Sequence, residues 1–339
     1  MLTVKKIIAE VGIPGLLRLP FILIRLLVHN FLMSFHAKDL DKLERDIIKL
    51  KNSKDKKIDS MFPFYEKGPY DYWFKDTINK ASSRHFYQNV ANLIGQVGFE
   101  LTDEQIEEVK KAFPVDKDDS YYRYHPLNKG KNDYWEYYLT PWHRIMPYYS
   151  HFLWDVRFRE HFIPLHNKFK KWYKEFVWFL FLGTGSNIYA CELGKAFHCL
   201  NEYFVEGDIN ALERYKRHLL KSKYFLDHAV QNGTAMEGFT YARFLIEGFC
   251  YLDALHRNLG FEYQILDDKF LADFKKYIEM TWTKDAGFET SGDSHDETEK
   301  LAVSRPLFYL YLLTKDDIYK NILDHYGNPD AYYKTFFLK

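Results

Sequence analysis

The stretch from Asn187 to Val230 reads NIYACELGKAFHCLNEYFVEGDINALERYKRHLLKSKYFLDHAV, and its reading decides the fold. Apolar residues recur at spacings of three and four on both sides of Gly207-Asp208, which is the period of an amphipathic helix and not of a strand. The spacing predicts helices over 187–205 and 208–230, with glycine and aspartate making the turn between them. A link this short forces the two helices to lie antiparallel.

The same period on either side predicts further helices near 164–182, 237–259, 267–283 and 300–325, the last broken near Thr314. Their connections carry Gly183, Gly185, Asn232, Gly233 and Gly260, residues that cap or turn helices. No run alternates convincingly as a strand, so the expected class is all-α, built of antiparallel helix pairs from residue 151 to 339. Ahead of that core, residues 37–150 read as irregular. Residues 37–60 are highly charged, helical at first and then linker-like, and Thr102-x-x-Gln105 forms a capping box before Ile106 and Val109. Residues 61–148 are rich in Pro and Tyr and are expected to form short helices and long loops, where binding surfaces are often built. Trp142 and His143 are placed there as substrate-binding candidates.

Residues 1–36 form a separate amphipathic segment. Its apolar run is interrupted by Pro14, Arg18, Pro20, Arg25 and His29, too broken for a spanning helix, and no small-residue signal cleavage site follows. Either residues 4–33 lie at a membrane surface, with Arg18 and Arg25 on a polar edge, or they pack on the main body. The expected location is accordingly the cytoplasm or a membrane face.

With 339 residues and 47% hydrophobic content, the chain can bury a large core. Lys and Arg (47) balance Asp and Glu (47), so no global field draws it to nucleic acid, and an anionic partner must be met locally. The aromatic share of 19% is high, and although core packing accounts for most single aromatics, the surplus also suits the apolar face and hydroxyl rim of sugars. Cys191, Cys199 and Cys250 show no metal-ligand spacing or even disulfide framework and read as buried thiols.

Three segments could carry chemistry. Gly183-Thr184-Gly185-Ser186-Asn187 suits a tight turn with a helix cap, and Asn187 beside free backbone N–H groups could equally receive a carboxylate. In Asn232-Gly233-Thr234-Ala235-Met236-Glu237-Gly238-Phe239-Thr240-Tyr241-Ala242-Arg243, Glu237 and Tyr241 share one helical face while Phe239 can point elsewhere. A phenol oriented by a glutamate is a competent proton donor, and a surface acid beside a core tyrosine is the plainer alternative. The loop Gly287-Phe288-Glu289-Thr290-Ser291-Gly292-Asp293-Ser294-His295-Asp296-Glu297 reads first as a cap for the next helix, then as a substrate-facing loop. A metal held by Asp293, His295 and Glu297 ranks third, and no cofactor is expected.

The order of Asn187, then Asn232 to Tyr241, then Gly292-Asp293-Ser294 resembles the heparinase II/III and dermatan-epimerase-like polysaccharide lyases, over roughly residue 151 to the C-terminus. The resemblance implies an incomplete (α/α) toroid whose cleft against a β-sandwich domain binds a uronic-acid-containing glycan such as a glycosaminoglycan. It implies that Asn187 binds the uronate carboxylate, that Tyr241 acts as acid or acid/base toward the O4 leaving group, and that Glu237 supports Tyr241. Arg243 would be its charged neighbour, and Asp293 a further substrate contact. Several relatives have His after the asparagine, where this chain has Ile188, and no strand-rich region is read before Lys339, so either His295 substitutes as base or a missing β-sandwich supplies it. The expected activity is therefore a lyase working by β-elimination. Two alternatives stay open: a toroid-fold glycoside hydrolase using Glu237 and Asp293 as a carboxylate pair, and a non-catalytic glycan-binding or assembly protein.

Overall fold

The computed structural model describes residues 13–14, 16–25, 27–28, 31–32, 40–52, 102–112, 115, 153, 156–175, 190–229, 239, 246, 248–250, 252–253, 256–257, 260–288 and 304–326. Almost all of them are helical: α1 (Asp41–Asn52), α2 (Asp103–Ala112), α3 (Val156–Glu175), α4 (Ala190–Asn201), α5 (Asn210–Ala229), α6 (Asp268–Thr281), α7 (Ser304–Thr314) and α8 (Asp317–Tyr326). The described positions between 246 and 257 are helical as well, which agrees with the helix read over 237–259.

The apolar stripe of each helix turns inward. On α3, Phe158, Phe162, Leu165 and Phe169 are fully buried at the spacing of one helix face. Leu193, Phe197 and Leu200 of α4 and Tyr215, Leu219 and Leu226 of α5 do the same. α4 and α5 form the most extensive helix pair among the described residues, α7 pairs with α8, and α3 touches both α2 and α4. Among the described residues the largest fully buried side chains are Tyr215, Tyr309, Tyr319 and Phe158, so these aromatics belong to the core and not to a sugar-facing surface.

α4 does not stop cleanly. It loosens into a π turn over Glu202–Glu206, which ends at Gly207 with φ of 76°. That left-handed geometry is open to glycine at little steric cost, and it lets the Gly207 N–H reach the Tyr203 carbonyl at 3.1 Å. Asp208 then opens α5, its Oδ1 accepting the Asn210 N–H at 3.0 Å. The Gly207-Asp208 turn is thus where periodicity placed it.

Two expectations need correction. α3 begins at Val156, not near 164, with Pro164 inside the helix; buried Phe158 and Phe162 outweigh the hydrogen bond that the proline forgoes. The helix read over 267–283 ends at Thr281, and Trp282–Thr283 pairs antiparallel with Gly287–Phe288 as a short hairpin, β1 and β2. Trp282 takes extended angles (φ −116°, ψ 134°), and Gly287 has φ of 72°, which returns the chain. A two-residue strand is too short to show alternation in sequence. The break near Thr314 is present: Lys315 adopts φ of 58°, and Asp316 Oδ1 accepts the Ile318 N–H at 3.1 Å to start α8.

Candidate functional site

Asn187, Glu237, Tyr241, His295, Arg243, Asp293, Trp142 and His143 lie outside the described residues. Their neighbours in sequence do not. Phe239, between Glu237 and Tyr241, is 1% exposed, and Phe288, at the start of the loop that carries Asp293 and His295, is 3% exposed. Their rings stack with centroids 3.8 Å apart and planes 8° from parallel. The second and third motif segments therefore meet through this aromatic pair.

The helix that opens just after Asn187 joins the same assembly. A Cβ placed on Gly248 would lie 2.7 Å from Leu193 Cδ2. A side chain at position 248 would have to push the Leu193 side chain aside, so the glycine lets Leu193 of α4 pack directly against the backbone there. Gly248 follows the Glu237–Tyr241 motif on the helix read over 237–259. Leu193 of α4 thus meets Gly248, and Phe239 meets Phe288.

A buried polar knot stiffens that core. Asp253 is fully buried. Its Oδ1 accepts the backbone N–H groups of Ile265 and Leu266, both at 2.9 Å, while Oδ2 accepts Tyr309 Oη–H and Arg257 Nε–H, both at 2.7 Å. Arg257 also donates to the Leu266 carbonyl at 3.1 Å. One carboxylate thereby fixes the 246–257 helix, the 261–267 loop and α7. Burial and the adjacent carboxylate push the Tyr309 phenol well above the ordinary tyrosine range, so it stays a donor.

His256 lies beside this knot. Its Nδ1 donates to the Tyr263 carbonyl (3.3 Å), which leaves Nε2 as acceptor for the Tyr215 hydroxyl at 2.9 Å. Burial lowers its pKa to about 4 despite the nearby Asp253 charge. The ring is a neutral structural link between α5 and the 261–267 loop.

A second cluster was not singled out by sequence reading. His198, Glu202 and Glu206 fall on one side of the chain at successive helical returns, and α3 faces them with His166 and Lys170. His166 Nε2 is 2.7 Å from Glu206 Oε1, which also pairs with Lys170 through Oε2. Arg214 Nη2 bridges Glu202 Oε2 and Asp208 Oδ2, each at 2.7 Å. The His166 and His198 rings lie 5.4 Å apart. Burial holds both imidazoles below the ordinary histidine range, His198 well below it. Glu206 is held below the carboxylate range by its Lys170 and His166 hydrogen bonds, which outweigh its burial. His198 is 0% exposed and cannot meet a dissolved substrate directly. The cluster docks the π turn onto α3 and α5. Its signal in sequence was the His198-x-x-x-Glu202-x-x-x-Glu206 spacing.

From the other side, α1 docks on the same region. Lys51 Nζ donates to the Tyr203 carbonyl at 2.6 Å and sits 4.1 Å from the Tyr203 ring centroid. Lys216 of α5 pairs with Glu44 and, at 2.8 Å, with Glu213. Among the described residues no group of three or more His, Cys, Asp or Glu side chains is arranged to hold a metal ion.

No family model, curated protein or solved structure matches this chain.

Proposed function

We propose that the protein is a polysaccharide lyase of the heparinase II/III-like kind, or its helical domain, with the helices closing as an incomplete (α/α) toroid around a glycan cleft. The observation that carries this reading is the Phe239–Phe288 stack, because it joins the Glu237–Tyr241 segment to the stretch leading into Asp293 and His295. Residues that are remote in sequence then act on one substrate.

In this reading the substrate is a uronic-acid-containing polysaccharide. Abstraction of the C5 proton builds enediolate charge on the adjacent carboxylate, and positioned donors are the largest source of stabilisation for such charge. Asn187 supplies that donor. Tyr241 protonates the departing O4, oriented by Glu237 and kept acidic by Arg243. His295 is the candidate base, and Asp293, Trp142 and His143 contact the sugar.

The test is incubation with a panel of uronate polymers while ultraviolet absorbance of the unsaturated product is followed. Wild type is expected to produce it, with Tyr241→Phe and Asn187→Ala each reducing the rate at least about a hundredfold. Release of reducing ends without absorbance would replace the lyase with a hydrolase. Glycan binding without turnover, indifferent to Tyr241→Phe, would replace it with a binding protein.

A further inference from the structure

The N-terminal helical segment breaks the rule that apolar side chains turn inward. Residues 16–25 are helical throughout, and residues 13–14, 27–28 and 31–32 continue the pattern. Yet Phe21 is 75% exposed, Leu17 69%, Leu27 68%, Ile13 62%, Ile24 59% and Val28 52%. Within the unbroken run 16–25, at about 100° per residue, Leu17, Phe21 and Ile24 fall within an arc of about 60°, which makes one stripe. Leu16, Leu19 and Ile22 are partly covered, and Leu23 is 44% exposed.

Charge is arranged against that stripe. Arg18 and Arg25 are both exposed and lie along the same edge of it, next to Phe21. No acidic residue occurs between Glu10 and Asp39, although acidic and basic residues balance over the whole chain. An antiparallel second copy laid on the stripe would bring the two arginine edges together and repel. No helix among the described residues is long and apolar enough to cross a membrane. An apolar face with a cationic edge, too interrupted to span, matches the requirements of an anionic lipid surface, which takes the side chains into its acyl boundary and the guanidinium groups among its headgroups.

We propose that this helix binds the full chain to anionic membranes, lying in the plane of the interface with Leu17, Phe21 and Ile24 inserted and Arg18 and Arg25 against the headgroups. The proposal stands without the lyase reading.

The test is co-sedimentation of the full chain with vesicles of phosphatidylcholine alone and of phosphatidylcholine containing phosphatidylglycerol. Binding is expected on the anionic vesicles, weakened by salt and much weaker on neutral ones. Arg18→Gln with Arg25→Gln should lower that affinity about thirtyfold, at about one kcal/mol per basic residue. Leu17→Asp with Ile24→Asp should abolish it while leaving the melting temperature unchanged, because both positions face outward. No binding to anionic vesicles would overturn the proposal, as would equal binding to neutral ones. So would a lipid-independent dimer that Leu17→Asp with Ile24→Asp dissolves, if it appears without vesicle binding; a second copy would then be the occupant.

Discussion

Phe239 and Phe288 lie face to face at 3.8 Å, one from the helix read over 237–259 and the other from the second strand of the hairpin after α6. Each is nearly fully buried, so the pair has no water to turn to when one ring is removed. Phe239→Ala should destabilise the fold by about 3–5 kcal/mol, and Phe288→Ala by a similar amount. The double variant should cost less than the sum, by about 0.5–1.5 kcal/mol, the coupling of an aromatic pair. Urea denaturation of the four chains measures this, and strict additivity would show that the rings act independently.

Asp253 accepts hydrogen bonds from four donors. Asp253→Ala strands the Ile265 and Leu266 N–H groups, the Tyr309 hydroxyl and the Arg257 guanidinium around an empty space. The expected loss is about 3–5 kcal/mol, as for a buried charge pair broken on one side. Tyr309→Phe alone should cost about 1–2 kcal/mol, and close to nothing once Asp253 is alanine. An equal cost of Tyr309→Phe in both backgrounds would sink the claim that the two groups act as one unit.

The buried histidines make stability depend on pH, with a definite sign. His256 titrates near 6.5 when unfolded and near about 4 when folded, so between those values the unfolded chain binds the extra proton. Stability is whole above about pH 6.5 and falls as acid is added, by about 3 kcal/mol from this group once pH reaches about 4. His166 and His198, also lowered, add loss in the same direction. In His256→Gln the fall between pH 7.5 and pH 5 should be shallower than in wild type. Denaturation curves at the two pH values that give equal slopes for both chains would refute the assignment.

Cys199 should be chemically silent in the native chain. It is fully buried, and burial with Glu202 nearby pushes the thiol up to about 12, against which Arg214 acts only in part. At pH 8 only about one molecule in ten thousand would carry the thiolate that alkylating reagents need. Peptide mapping after iodoacetamide treatment should find Cys199 unmodified until denaturant is added. Modification of the folded protein at the rate of a free thiol would show that this part of α4 opens readily.

Helix identity was legible because it is written in a local period. The paired helices around Gly207-Asp208, the capping region before Ile106 and the break after Thr314 all depend on residues within a turn of one another. The hairpin at Trp282 and Phe288 was not legible, since a two-residue strand has no period to display. Nor was the early start of α3, where distant packing of Phe158 and Phe162 overrides the usual meaning of Pro164. Among candidate site residues, the motif order came from sequence, and Glu237, Tyr241, Asn187 and His295 remain assignments made on that ground.

By itself, then, the sequence determined a predominantly helical chain, the positions of most of the described helices and turns, and a segment at residues 1–36 unlike the rest. Those follow from local periodicity and from the backbone preferences of single residues. Only the tertiary structure decided that Phe239 meets Phe288, that Gly248 admits Leu193, that Asp253 gathers donors from three segments, and that Leu17 and Phe21 face outward. Each of these is a meeting, or a failure to meet, between residues far apart in the chain. Such outcomes depend on how whole helices are covered, which no spacing within a single helix encodes.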